Sequence, residues 1–393
     1  MPFSSNLMPY EDRLHCSVKE KFSLKDALFN ERRVTYLAEL FVAVDGNFQN
    51  KKFVKEVVEK FPELELKARI GWMAEVLARY LSGDVSMAMK LIIRALPPEL
   101  DENQTDDDFG EFILAPLGEY VVRHGCVIEY VEQALDTLYE ITKRFSMEDA
   151  MRSFLNNFPD ETLGRFDRWV NDNNYHVRRL VSESSRPLLP WSRRLSLLYH
   201  VPLKYLDVLY ADKTRYVTRS VANHLNDISK KDPTLVIVTL ARWLKEGGQT
   251  DKELTWMTRH ALRTLVKRGD VRALALLGYR PAADVTVRQF ALEKGESDIR
   301  RGDTLVVTCA LLAAQNTAGL IDYIIDFVKA NGQTKPKVFR WKKLSLKAGQ
   351  GEVLIKRHHL KADATTFKLY PGEYKITLQI NGSKRQSLVL RVQ

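Results

Sequence analysis

Cysteine is scarce. Cys16, Cys126 and Cys309 are the only three in 393 residues and none stands in a CxxC pair, so neither a disulfide framework nor a zinc module is expected. Long apolar runs are also missing. No segment approaches the roughly 18 apolar residues needed to span a bilayer, and the N-terminal MPFSSNLMPYEDRLH has no basic stretch leading into an apolar one. These absences point to a reduced, cytoplasmic setting without membrane contact. There is no HExxH, no P-loop and no partner for His176 at metal-ligand spacing, so the chemistry is expected to need no cofactor and no metal. With 45% apolar and 28% charged residues the chain is not a disordered one, and its length allows two or three domains.

What is present is an uneven charge. The net charge is +10, and residues 283 to 393 hold 19 Lys plus Arg against 10 Asp plus Glu. Nearly all the basicity therefore belongs to the C-terminal part. A basic module on a near-neutral body suits a nucleic-acid partner, because phosphate contacts release counterions.

The hydrophobic period changes at the same place. From residue 31 to about 278 the chain reads as short amphipathic helices such as LKARIGWMAEVLARYL (66 to 81). After Pro281 the segments at 285 to 292, 304 to 312, 337 to 346, 352 to 360, 373 to 380 and 387 to 392 alternate or run β-branched, and Asn381-Gly382 marks a tight hairpin. With GLIDYIIDFVKANG (319 to 332) as a further strand, these make an all-β sandwich of about seven short strands. The acidic loop ELDENQTDDDFG (99 to 110) separates an N-terminal helical group from the rest. The expected division is 1–281 and 282–393.

The helical half repeats. Aligning YHVRRLV (175 to 181), RYVTRSV (215 to 221) and TWMTRHA (255 to 261) places Arg179, Arg219 and Arg259 forty residues apart, with Asp172 and Asp212 at the same interval. A period near forty with two helices per unit marks a HEAT-like α-solenoid. The aligned arginines either track a phosphodiester backbone or pair with the aspartates as a ladder. In SSRPLLPWSRR (184 to 194) two prolines place Trp191 beside Arg186, Arg193 and Arg194, an arrangement suited to nucleic acid.

NDNNYHVRRLVSESSRPLLPW (171 to 191) and RYVTRSVANHLNDISKKDP (215 to 233) resemble the AlkC-type DNA alkylation repair glycosylases, relatives of AlkD, and the similarity extends to LELKAR (64 to 69) and RFSMEDAMRSFL (144 to 155). The resemblance implies a HEAT-like glycosylase domain and a basic immunoglobulin-like domain that helps to encircle duplex DNA. It implies a monomeric enzyme that removes cationic alkylated purines, above all 3-methyladenine, by hydrolysing the N-glycosidic bond without flipping the base. Such an enzyme would associate with the nucleoid.

A cationic purine is already a good leaving group. What remains is to stabilise the deoxyribose as it becomes oxocarbenium-like and to position a water, and one ionised carboxylate near the sugar supplies both. By resemblance that carboxylate is Glu148, with Ser146 expected to cap its helix and Glu148 in the first turn, where the dipole favours negative charge. Glu119 and Asp172 are the reserves. Trp169, Arg179 and Asn223 are expected beside the lesion. His176, Arg178, Arg186, Trp191, Arg215, Arg219 and Arg259 are expected along the DNA, joined in the β half by Arg340, Trp341, Lys342, Lys356, Arg357 and His358. The chain departs from the family pattern at Met147, Asp149, Ser153, Ser184, Leu188 and Thr218, and Asp149 places a second carboxylate beside Glu148.

Overall fold

A computed structural model describes residues 23–101, 103, 109–281, 284–293, 298–362 and 368–393. Cys16, the N-terminal stretch and residues 102 and 104–108 of the acidic segment lie outside the described residues. The helices are α1 (Leu24–Leu28), α2 (Glu31–Val42), α3 (Asn50–Glu59), α4 (Leu66–Tyr80), α5 (Val85–Arg94), α6 (Ala115–Gly125), α7 (Val131–Thr142) and α8 (Glu148–Asn157). They continue as α9 (Pro159–Trp169), α10 (Tyr175–Ser184), α11 (Leu203–Leu209), α12 (Arg215–Ile228), α13 (Pro233–Glu246), α14 (Asp251–Ala261), α15 (Arg263–Arg268) and α16 (Val271–Leu276). None is long and apolar enough to cross a membrane, among the described residues. Two compact units result: residues up to Ile228 together with Gly247–Met257, and Ser229–Glu246 together with Thr258–Gln393.

In the first unit the apolar period does what it promises. Ala134, Leu135, Leu138 and Ile141 of α7 are completely buried, as the spacing of three and four requires. α10 goes further, because it packs against α7, α8, α9, α11 and α12 and all ten of its residues are buried. A helix covered all round would ordinarily be apolar; this one carries Arg, Ser and Glu that satisfy one another. Arg69 of the LELKAR stretch is another buried guanidinium, 3% exposed. It donates to the carbonyls of Lys25, Phe29, Phe61 and Leu64 and to the Asp26 carboxylate, and so fastens α1 to α4.

The forty-residue spacing of the aspartates is turn chemistry. Asp172 Oδ1 accepts from the Asn174 backbone N–H at 2.8 Å, and Asp212 Oδ1 accepts from the Thr214 N–H at 2.8 Å, each shaping the turn that leads into the next helix. A ladder does form, but its arginine is Arg178 rather than Arg179. Arg178 donates to the carbonyls of Asp172 and Asn173 and to both oxygens of Asp212, linking one repeat to the next.

The second unit contains the sandwich and helical residues before it. Its strands are β1 (Val285–Leu292), β2 (Asp298–Ile299), β3 (Thr304–Ala313), β4 (Thr317–Val328), β5 (Thr334–Leu346), β6 (Gly351–His359), β7 (Gly372–Ile380) and β8 (Ser383–Val392). One sheet has the order β1-β3-β6 and the other β2-β8-β7-β4-β5. All pairings are antiparallel except the short β2 beside β8. Asn381 and Gly382 have φ of 45° and 80° and join β7 to β8 across Ile380↔Ser383, the two-residue turn with both central residues left-handed that matches strand twist. β4 alternates imperfectly because it is covered on both faces. Ile321, Tyr323 and Ile325 enter the sandwich core, while Leu320, Asp322 and Ile324 on the opposite face are also buried. Helical residues of the same unit meet the β7–β8 turn, where Leu274 Cδ1 and the backbone of Gly269 sit within 3 Å of where a Cβ on Gly382 would stand.

Candidate active site

Glu148 opens α8, but the expected cap does not form. Met147 occupies the cap position without a side-chain hydrogen bond, and the Ser146 hydroxyl instead accepts from Arg179 Nη1 at 2.6 Å. A charged donor holds the hydroxyl more strongly than a helix N–H would. Glu148 Oε2 lies 3.7 Å from Arg179 Nη1, too far for a hydrogen bond, and this buried oxygen has no hydrogen-bond partner among the described residues. Its side chain as a whole is 22% exposed. Asp149 turns elsewhere and pairs with Lys67 at 3.1 Å, so the two adjacent carboxylates do not share an environment.

Arg179 is the hub. It is 5% exposed, its guanidinium lies 4.3 Å from the Tyr216 ring centroid and 5.6 Å from that of Phe109, and Glu183 follows one turn later at 3.8 Å. Burial works against its charge, but Tyr216, Glu183 and Glu148 outweigh that and hold it above the ordinary guanidinium range. Glu183 resists burial in the same way. Arg186 and Arg179 beside it, with hydrogen bonds from Ser220 and Arg186, pull its carboxyl down to about 2. The network continues through Arg186 to Asp227 at 3.0 Å. Arg152, 1% exposed, donates to the carbonyls of Ser184, Arg186 and Arg193 and fixes the loop after α10.

The other expected residues separate into groups. Glu119 pairs with Arg123 at 2.8 Å in a cleft of about 530 Å³ that Lys67, Trp72, Asp149 and Arg193 also line. Both oxygens of Asp172 are engaged, by the Asn174 N–H and by the Tyr139 hydroxyl at 2.9 Å. Trp169 is 5% exposed and packs on Tyr139 and Phe166, so it belongs to the core rather than beside a lesion. Arg178 and Arg186 are likewise corrected from DNA contacts to buried fold residues, since carboxylates and carbonyls take up their donors. His176 is 2% exposed, between Tyr175 and Tyr216, and burial together with Arg179 pushes its pKa down to about 3. It is therefore a neutral interior ring, not a surface contact. Arg215 stacks on Trp256 at 3.9 Å and pairs with Glu253.

Among residues that remain accessible, Trp191 is 69% exposed in a left-handed backbone conformation, Asn223 and Arg219 are partly exposed, and Arg259 is exposed. The arginine register thus supplies three different environments. In the sandwich, Arg340 pairs with Asp322 at 2.6 Å and Lys342 with Glu352 at 3.2 Å. Lys356 donates to the Arg340 carbonyl at 3.3 Å, and Arg357 is exposed. Trp341 packs partly into the core. His358 sits 2.8 Å from the Tyr323 hydroxyl, its pKa lowered to about 4 by burial and by Lys356 and Lys337. Residue-by-residue reading gave Ser146 a different role and missed Glu183 and Tyr216, all three of which shape the surroundings of Arg179. Glu183 signalled itself only by standing one helical turn from Arg179 and Tyr216 by standing about one repeat away; nothing in the spacing marked Ser146 as a partner.

Helical repeats enclosing a carboxylate and an arginine, in a chain that ends in an immunoglobulin-like sandwich, define a narrow class. A model of the C-terminal Ig-like domain of the uncharacterised protein YhaZ matches residues 286–393. The chain is 31% identical over 369 residues to the uncharacterized protein YhaZ of Bacillus subtilis (strain 168), covering 93% of this chain and 98% of that one. The solved structure of Pseudomonas fluorescens alkylpurine DNA glycosylase AlkC, bound to DNA containing an abasic site analog, is 32% identical, with a TM-score of 0.83 over 95% of this chain and 100% of that one. The chain belongs to the AlkC family.

Proposed function

We propose that this chain is a DNA glycosylase that hydrolyses the N-glycosidic bond of cationic alkylated purines of the 3-methyladenine class in duplex DNA, without flipping the base. Glu148 faces the sugar, stabilises its oxocarbenium-like state and orients the attacking water. The observation that carries this reading is the Glu148 carboxylate itself: partly exposed, with one buried oxygen unsatisfied and Arg179 3.7 Å away as counter-charge. The buried oxygen beside Arg179 anchors the carboxylate, and the part of the side chain that stays exposed can meet a developing cation or a water. Asp172 is less suited because its oxygens already serve the turn and Tyr139; Glu119 remains the reserve. The enzyme acts as a cytoplasmic monomer on chromosomal DNA.

The test is release of free 3-methyladenine from methylated duplex by purified protein, followed by chromatography. Glu148→Gln is expected to lower the single-turnover rate by about 100-fold or more while duplex affinity persists. Undiminished release by Glu148→Gln would transfer the role to Glu119, and absence of release by the unmodified protein would end the enzymatic reading.

A further inference from the structure

The outer face of the five-stranded sheet carries a polar row that the proposed reaction does not use. Arg340, Asp322 and Gln379 stand in register across β5, β4 and β7. Arg340 Nε donates to Asp322 Oδ1 at 2.6 Å. Asp322 and Gln379 are 1% and 2% exposed, and Asp322 Oδ2 and Gln379 Nε2 have no hydrogen-bond partner among the described residues. A bulge opposite Ile321 and Asp322 shifts the register, so that Lys343 pairs with Leu320. Residues 320 and 322 share a face of β4, and the bulge therefore brings Arg340 and Lys343, three positions apart, onto that same face. Simple alternation would have grouped Arg340 with Lys342.

Helical residues of the same unit add to this group. α15 ends at Gly269, against the Gly382 backbone of the β7–β8 turn. Lys267, two residues earlier, is close enough for its charge to act on Asp322, and Arg259 is close enough to act on Lys343. Arg259, Lys267 and Lys343 are exposed, and no carboxylate pairs with them among the described residues. Three cations thus gather around one buried carboxylate, which is already engaged by Arg340, and Arg259 stands beside Lys343 as a fourth. Their mutual repulsion favours an anion from solution, and the planar fork of an arginine beside mobile ammonium groups suits phosphate oxygens.

We propose that Arg259, Lys267, Arg340 and Lys343 form a binding site for one phosphodiester group of a nucleic-acid backbone, with Asp322 as the positioning residue that fixes the Arg340 guanidinium. The proposal rests on the reading that the chain acts on DNA, but not on its catalytic carboxylate. The test measures affinity for an undamaged 24-base-pair duplex across a salt series. Lys343→Ala and Lys267→Ala are each expected to weaken binding about three- to tenfold at low salt. A variant that no longer holds the phosphate flattens the slope of log K against log salt by about 0.9. Slopes equal to that of the unmodified protein in both variants would overturn the site. Asp322→Asn separates positioning from charge. Removing a negative charge beside a phosphate should tighten binding if charge alone mattered, whereas loss of Arg340 orientation weakens it about threefold, and tighter binding would overturn the role given to Asp322. Glu148→Gln in parallel keeps failures apart. Lost base release with ordinary lysine slopes sinks the phosphate site alone; lysine-dependent binding by a protein that releases no base sinks the glycosylase reading and leaves the site standing.

Discussion

Replacing Glu183 by Gln tests whether the polar interior around α10 is held by charge. Glu183 is 6% exposed, and it accepts from Arg186 Nη1 and from the Ser220 hydroxyl at 2.6 Å each, with Arg179 at 3.8 Å. Burial alone would raise its pKa, yet the neighbouring guanidinium groups and hydrogen bonds bring it from 4.5 down to about 2, and a drop of that size corresponds to about 3 kcal/mol. Gln also leaves Arg186 with Asp227 as its remaining anion and Arg179 with Glu148 at 3.7 Å. Removing one member of a buried ion group costs roughly 3 to 5 kcal/mol, so the expected loss at pH 7 is about 4 kcal/mol. Because the folded pKa lies below the unfolded one, this stability is complete above pH 4.5 and disappears as pH falls toward 2. Urea unfolding followed by far-ultraviolet circular dichroism at pH 7 and pH 3 measures both parts. The gap between Glu183→Gln and the unmodified protein should be widest at pH 7 and narrow at pH 3. A difference below about 1 kcal/mol at pH 7, or one unchanged between the two pH values, would refute the ionic account.

Further perturbations probe other parts of the molecule. At Gly382, φ is +80° and an added Cβ would meet Leu274 at 2.5 Å and the Gly269 backbone at 2.8 Å, whereas Gly247 at φ +69° has open space around it. Gly382→Ala should therefore destabilise by about 3 kcal/mol and Gly247→Ala by about 1 kcal/mol in urea titrations. Arg69→Ala strips the donors from four carbonyls and one carboxylate and should cost roughly 3 to 5 kcal/mol. His176, whose pKa burial and Arg179 push down to about 3, should show no imidazole titration by nuclear magnetic resonance between pH 5 and 8. Since its folded pKa lies below 6.5, its contribution to stability should fall as pH drops below that value.

Local rules made much of this molecule readable. Asn381-Gly382 announced its turn because only a pair tolerant of positive φ closes such a hairpin. The forty-residue interval announced helical pairs, and Asp172 and Asp212 recurred because each shapes the same turn. The direction of side chains was not readable. Arg178, Arg179 and Arg186 look alike in sequence, but the first two lie on a helix packed on every side, the third lies just beyond its end, and all three are buried; only the partners contributed by α8, α11–α12 turn residues and α12 show why their charges are tolerated. Ser146 resembled a cap until Arg179, thirty-three residues away, claimed its hydroxyl. The grouping of Arg340 with Lys343 depends on a bulge that alternation alone would not reveal.

Gly269 and Gly382 have a consequence for anyone dividing the chain. Each sits where a methyl group on one would collide with the backbone of the other, so the β7–β8 turn and the end of α15 fit together only as bare backbone. A fragment beginning at the first strand would match the recognised domain, residues 286–393, yet it would lack the helical residues from Thr258 onward that belong to its compact unit. The β7–β8 turn would lose the Gly269 backbone and the Leu274 side chain that close on it. Expression of the sandwich with its whole compact unit should therefore begin no later than Ser229.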